Sequence, residues 1–275
     1  MNNEYTKLDE NRILTKTKYG QTICVDTRDV SIAPHLIKEG LWEDWIVNAF
    51  RNIVKQGMVV VEVGSCFGVY TLQAAGLVGI SGRVYAFDGS PENVECVKIG
   101  LKENNLNNVE IHNTLVTNKT KKNNKFFTVS NIRGANTIVG FNDEVKKQHW
   151  ETYGTDIDFE ELNIKSTSLD DFFKDKDKRV DIMKIDAEGS EALIIDGAKK
   201  LLEANPDIQI IMEFNQAMLS ATIDPKEFLE NLRDEYGFRI NYIDSNSNIV
   251  DKTHDLDYLL NSHMPELLLS RREEL

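Results

Sequence analysis

MVVVEVGSCFGVY, from Met58 to Tyr70, reads as a strand, a glycine turn and the first turn of a helix. Met58 to Val61 is an uninterrupted apolar run, rich in β-branched valine, as expected of a central parallel strand buried on both faces. Gly64 and Gly68 follow at positions where the backbone must turn sharply or approach a ligand too closely for a Cβ. From Val69 onward, Leu72, Ala75 and their neighbours suit a helix packed back on the sheet. Strand, loop and helix N-terminus together make the crevice in which open α/β sheets bind nucleotide-type ligands.

The loop's spacing narrows the ligand. A dinucleotide loop needs G-x-G-x-x-G, whereas Gly64-Ser65-Cys66-Phe67-Gly68 is G-x-x-x-G and is preceded by an acid, Glu62. A carboxylate there repels a pyrophosphate but suits a ligand carrying an ammonium and a sulfonium. The next strand, Arg83 to Phe87, ends in Asp88, placed to accept both ribose hydroxyls. These features describe S-adenosylmethionine.

Four blocks, VVVEVGSCFGVYTL, AFDGSPENVECV, TSLDDFF and MKIDAEGSEALIIDGA, resemble the FkbM family of S-adenosylmethionine-dependent methyltransferases, in order from about Trp42 to Asn215. Glu62 stands where the family often has Asp, Cys66 where it often has Asn, and Asp88-Gly89 where it usually shows Glu-Pro. The resemblance implies an α/β fold: a seven-stranded, mostly parallel Rossmann-like sheet whose last strand is antiparallel. It also implies a cofactor site built from Glu62, Gly64, Ser65, Gly68, Tyr70, Asp88, Gly89 and Thr114. A Gly-x-x-Glu element that approaches the cofactor in the family corresponds to Gly40 and Glu43.

Composition fits one methyltransferase domain over residues 1–275, with 41% hydrophobic residues for a core. A net charge of −13 argues against a nucleic acid held through its phosphates. Cys24, Cys66 and Cys96 are scattered, so neither a disulfide framework nor a zinc cluster is expected. The opening MNNEYTKLDENR is too polar for a signal peptide, and no apolar run reaches the ~20 residues of a membrane span. The cytoplasm is the expected compartment; the oligomeric state is left open.

In chain order, residues 1–55 read as a hairpin (Arg12 to Lys16, Thr22 to Val25) and an amphipathic helix from Glu39 to Val54. Pro91 opens a helix to Leu101, and Val109 to His112 is the third strand, ending near Thr114. Asn118 to Lys125 reads as an exposed turn. Residues 117–168 exceed the minimal strand–helix alternation, and insertions of this kind shape the substrate side. Arg133, Asn136, His149 and Trp150 are their candidate contacts. Strands Val180 to Ile185 and Ile208 to Met212 follow, then helix Pro225 to Tyr236 and strands Phe238 to Ile243 and Leu267 to Leu269. Glu191 to Leu202 reads as a helix broken at Gly197.

Four strand tips then carry acids: Glu62, Asp88, Asp186 and Glu213. Ligands of open α/β sheets lie outside these tips, so the acids form one functional rim, although Asp186 and Asp170 also suit helix caps. Asp186 or Glu188 is the expected general base for methyl transfer to a hydroxyl, and Asp186 also borders the cofactor. Glu213 and Asn215 are candidate substrate contacts. With Asp186 they would offer three oxygens to Mg²⁺ in an arrangement similar to catechol-type O-methyltransferases, but the FkbM resemblance implies no metal and none is expected. The resemblance implies a small-molecule, glycan or peptide acceptor: O-methylation of a sugar, polyketide or other secondary metabolite, or N-methylation of a peptide or amino group. A dinucleotide-dependent oxidoreductase or epimerase on a similar sheet is the alternative of another class, disfavoured by the missing G-x-G-x-x-G.

Overall fold

The computed structural model describes residues 5–154 and 156–272; the polar opening Met1 to Glu4 lies outside them. Strands β1 (Thr6–Lys7), β2 (Arg12–Lys16) and β3 (Thr22–Asp26) form a small antiparallel sheet around the expected hairpin. The helix expected from Glu39 to Val54 begins only at Asp44 and runs to Ile53, and Glu39 ends a separate helix, Ala33–Glu39. Gly40, at φ 68°, closes that separate helix in the left-handed conformation that ends helices, so no continuous helix can cross it.

The main sheet contains β4 (Val59–Val63), β5 (Arg83–Asp88), β6 (Val109–Asn113), β10 (Ile182–Ile185), β11 (Gln209–Glu213), β12 (Arg239–Ile243), β13 (Ile249–Asp251) and β14 (Glu266–Ser270). Their order is β6-β5-β4-β10-β11-β14-β12-β13. β6, β5, β4, β10 and β11 are parallel, and β14 enters antiparallel between β11 and β12. The last strand of the chain is therefore the antiparallel one, as expected. β13, which hairpins onto β12, adds an eighth strand; its IVD is too short and too exposed for periodicity to reveal.

The valine run is buried on both faces because strand side chains alternate. Val61 and Val63 face one core with Met183, Ile185, Ile210 and Met212, covered by the helices Glu191–Asp196, Lys199–Ala204 and Pro225–Asp234. Val60, Ile182, Ile211 and Leu268 face the other, covered by Asp44–Ile53 and Val69–Val78. The N-terminal sheet packs Ile23, Cys24 and Val25 against Cys96, Val97 and Leu101 of the helix Pro91–Glu103.

Residues 117–168 build a second sheet together with the short strand just before them. β7 (Leu115–Val116), β9 (Phe159–Thr167) and β8 (Lys121–Val129) lie side by side. The lysine-rich part of the expected turn is thus the start of β8. Its backbone pairs with β9 while its lysines stay exposed, a combination that side-chain polarity alone misreads.

Asp170 caps a helix, though not its own. Its carboxylate accepts the backbone N–H groups of Lys200 (3.1 Å) and Leu201 (2.9 Å), just past the break at Gly197. Asp170→Ala should cost about 1 kcal/mol, as lost caps do, and lower Tm by roughly 2–4 °C; an unchanged melting curve would refute the capping role.

Candidate active site

The register of the strands sets one row of side chains along the rim. Ala86 pairs with Glu62, Glu62 with Lys184, and Lys184 with Ile211. One pleat further out on the same face come Asp88, Gly64, Asp186 and Glu213, and Glu213 pairs with Glu266 of β14. Gly64 is the gap in a row of acids. A Cβ there would lie 1.7 Å from the Asp186 carbonyl oxygen, at a φ of 87° that only glycine adopts readily.

A cavity of about 800 Å³ opens over this row, within the range of small-molecule sites. On one side it is lined by Gly64, Ser65, Cys66, Tyr70, Asp88, Gly89 and Thr114. Asp88 is 7% exposed. Its carboxylate accepts the N–H groups of Cys66 (2.8 Å) and Ser90 (2.7 Å) and the Asn93 amide. Burial pushes it up to about 6, against the lowering effect of these hydrogen bonds. An ionised carboxylate has about four lone-pair sites, so with three donors in place Asp88 is fixed yet keeps room for a hydroxyl donor. The Gly64 gap and the acids around it fit S-adenosylmethionine, whose ammonium and sulfonium they would face.

Glu62 does not line this cavity. It sits one pleat inside the rim, 2% exposed, its carboxylate bonded to the Thr71 hydroxyl. Burial pushes it up to about 8, against Thr71 and the Lys184 charge. Gly68 caps the helix Val69–Val78 at φ 87°.

The floor carries Asp186, Glu188 and Glu213, with Glu43 at the edge. Asp186 is no helix cap: it accepts from the Lys184 ammonium at 3.3 Å, and Lys184, 1% exposed, also pairs with Glu266 at 3.5 Å. Burial opposes the Lys184 charge, but Glu266, Asp186, Glu43 and Glu213 outweigh it and hold the amine above its ordinary range. Burial first, and Asp186 second, push Glu188 and Glu213 well above the carboxylate range. Glu43 accepts from the Tyr70 hydroxyl at 2.9 Å. Asn215 lines the cavity and caps the short helix Gln216–Leu219, its Oδ1 accepting from Met218 N at 3.3 Å.

The far wall comes from the insertion and is largely apolar, with Phe126, Ile138, Phe141, Val145 and Ile157. His149 and Asn136 line it too. Asn136 bridges the backbone, accepting from Val129 N (2.8 Å) and donating to the Arg133 carbonyl (3.0 Å). Arg133 also lines the cavity, but its guanidinium, 5% exposed, is ion-paired with Asp26 at 2.8 Å. Trp150 is 54% exposed and lies outside the lining. Glu266 went unread from the sequence because it begins its strand. Only an antiparallel strand brings its first residue to the rim, and Pro265 before an apolar run was the available signal.

A mostly parallel sheet with its last strand inserted antiparallel, a glycine gap at the first strand's tip and an acid at the second defines a Rossmann-like methyltransferase. The family model of the methyltransferase FkbM domain matches residues 62–240, and the chain belongs to that family of S-adenosylmethionine-dependent methyltransferases. Among curated proteins, none matches the chain. It is similar to the solved structure of a putative rRNA-methylase from Clostridium thermocellum, at 16% identity over 82% of this chain and 94% of that one, with TM-score 0.43. An O-methyltransferase from Bacillus cereus in complex with SAH is similar at 14% identity over 84% and 82%, with TM-score 0.46. A SAM-dependent methyltransferase from Aquifex aeolicus is similar at 16% identity over 83% and 88%, with TM-score 0.39. Among the described residues no helix is long and apolar enough to cross a membrane.

If Asp88 holds the ribose, Asp88→Ala should weaken S-adenosylhomocysteine binding roughly ten- to a hundredfold by calorimetry, the loss of about 1.5–3 kcal/mol of charge-assisted bonds. Wild-type affinity should also fall as the pH drops through about 6, where Asp88 protonates. The folding linkage has the opposite sign. A carboxyl raised above its ordinary 3.8 stabilises the fold below that value and loses its contribution as the pH rises through about 6. Affinity that is flat from pH 7.5 to 5 would remove the assignment.

Proposed function

We propose that the protein transfers a methyl group from S-adenosylmethionine to a hydroxyl of a small-molecule acceptor: a sugar, a polyketide or another natural product. The observation that carries this reading is the position of Asp186. It lines the cavity beside Gly64, whose Cβ would lie 1.7 Å from its carbonyl oxygen, and two residues before Glu188, whose carbonyl accepts from Thr137 of the insertion. We read residues 1–275 as one methyltransferase domain whose 117–168 insertion holds the acceptor.

When bound, S-adenosylmethionine supplies a methyl group activated by a positively charged sulfur. Asp88 accepts its ribose hydroxyls, and the turn from Gly64 to Gly68 lets the backbone approach its methionine end. Phe141, Val145 and Ile157 give the acceptor an apolar bed and keep water from the reacting centre. Asp186, steadied by Lys184, takes the proton of the acceptor hydroxyl as its oxygen bonds to the methyl carbon. The sulfonium would keep the electron pair of the carbon–sulfur bond and leave as a neutral thioether. Positioning of the hydroxyl near ~3 Å from the methyl supplies much of the rate, and proton removal by a placed carboxylate supplies about 10²-fold or more.

The test uses S-adenosylmethionine with a labelled methyl and a panel of sugar, polyketide and amine acceptors. A methyl ether is the expected product. Asp186→Asn should lower kcat about 10²-fold with S-adenosylhomocysteine affinity within about twofold of wild type. A variant that instead stops binding the cofactor would make Asp186 a cofactor ligand and leave the base elsewhere. N-methyl products alone would replace the hydroxyl reading.

A further inference from the structure

Arg133 joins parts of the chain that lie more than a hundred residues apart in sequence. Its guanidinium donates to Asp26 Oδ2 of β3 at 2.8 Å, with both side chains buried. Its backbone N–H donates to Asp29 Oδ2 at 2.7 Å, and Val30 N donates to the Asn131 carbonyl at 2.9 Å. Asp29 is itself fixed, because its other oxygen accepts from Ile32 N and Ala33 N, both at 2.7 Å, where the helix Ala33–Glu39 begins. The N-terminal sheet and the turn after it therefore hold Arg133 by its side chain and by its backbone.

What this fixes is the Arg133 carbonyl. It accepts from Asn93 Nδ2 at 3.3 Å, and the same nitrogen donates to the two oxygens of Asp88 at 3.4 and 3.3 Å. An amide nitrogen carries two N–H groups. One serves the carboxylate and the other serves Arg133. Both partners can only accept, so the amide cannot be turned over, and Asn93 is 2% exposed. The other donors to Asp88 are the backbone groups of Cys66 and Ser90. Asn93 supplies the donor whose place depends on a rotamer, and Arg133 sets that rotamer.

We propose that Arg133 is a positioning residue for the cofactor: pinned by Asp26 and Asp29, it holds the Asn93 amide against Asp88 and so aims the carboxylate that takes the ribose hydroxyls. The proposal rests on the ribose reading of Asp88, and it extends the cofactor site to the N-terminal sheet. A buried ion pair is weak evidence for stability; this one is explained by what it positions. Removing the guanidinium does not strand Asp26, since Arg28 also pairs with it at 2.6 Å.

Calorimetry of S-adenosylhomocysteine binding to the full chain tests this, with thermal melting alongside. Arg133→Met should weaken binding about threefold or more, as expected of members of one hydrogen-bond network. Arg133→Lys, which keeps a cation for Asp26, should recover most of the affinity. In an Asp88→Ala background Arg133→Met should cost no further affinity, because the residue acts through that carboxylate. Wild-type affinity in Arg133→Met, or a loss of the same size in both backgrounds, would overturn the proposal and leave the ribose reading standing; in the second case Arg133 would touch the ligand itself or merely support the fold. Asp88→Ala with wild-type affinity would overturn both. Should Arg133→Met fail to fold, Asn93→Ala carries the same cycle with Asp88→Ala: a loss seen only where Asp88 is present supports the link, and additive losses overturn it.

Discussion

Strand register is the constraint on which the site depends. Parallel neighbours lie ~4.8 Å apart and side chains on one face repeat every second residue. A register fixed by apolar pairs such as Val60–Ile182 therefore fixes everything one or two pleats further out. The two cores need Val61, Met183 and Ile210 on one face and Val60, Ile182 and Ile211 on the other. A slip of one residue in β10 would put Lys184 into the core beside Leu201 and carry Asp186 away from Gly64. The acids thus owe their convergence to the packing of valines and isoleucines beneath them.

The same geometry explains why a lysine is tolerated with 1% exposure. Lys184 occupies a row whose neighbour on β4 is Glu62, beneath Asp186 and Glu266, with the Tyr70 ring 5.2 Å from its amine. Removing any one of these partners would strand charge in a medium of low polarity, which is far costlier than replacing the whole group by apolar residues. The group is consequently poor evidence for stability. It makes physical sense as a preorganised field at the end of the sheet that borders the cavity.

Much of this was legible in the sequence, because the signals were local. The valine run, the glycines at 64 and 68 and the strand-ending acids Asp88, Asp186 and Glu213 follow from period and punctuation alone. What escaped depended on tertiary arrangement. Glu62 reads as part of the rim because it adjoins the loop, yet it stands on the rim's face one pleat further in, where its carboxylate meets Thr71. Arg133 reads as a candidate substrate contact on a glycine-bearing loop, but the N-terminal sheet brings Asp26 to its guanidinium across more than a hundred residues. Glu266 lies on the rim only because β14 runs backwards. The break at Gly40 carried a local signal, a glycine followed by a second helix start, that the amphipathic pattern around it masked.

Backbone strain follows the same boundary. Glu43, Cys66, Glu188 and Met264 are non-glycine residues with φ between 42° and 49°, and all four line the cavity. Such conformations cost on the order of 1–3 kcal/mol each and persist only where surrounding bonds over-determine them. Here those bonds can be named: Cys66 N donates to Asp88 and Glu43 accepts from Tyr70, while the Glu188 carbonyl accepts from the Thr137 hydroxyl at 2.7 Å. The last of these ties the acidic loop to the insertion. Cys66 also clarifies one departure from the family pattern. Asparagine, often found at this position in FkbM proteins, is among the few residues that enter the left-handed region readily. What Cys66 contributes is its N–H, held toward Asp88, so the glycine turn and the acid at the next strand's tip form one rigid unit rather than two adjacent motifs.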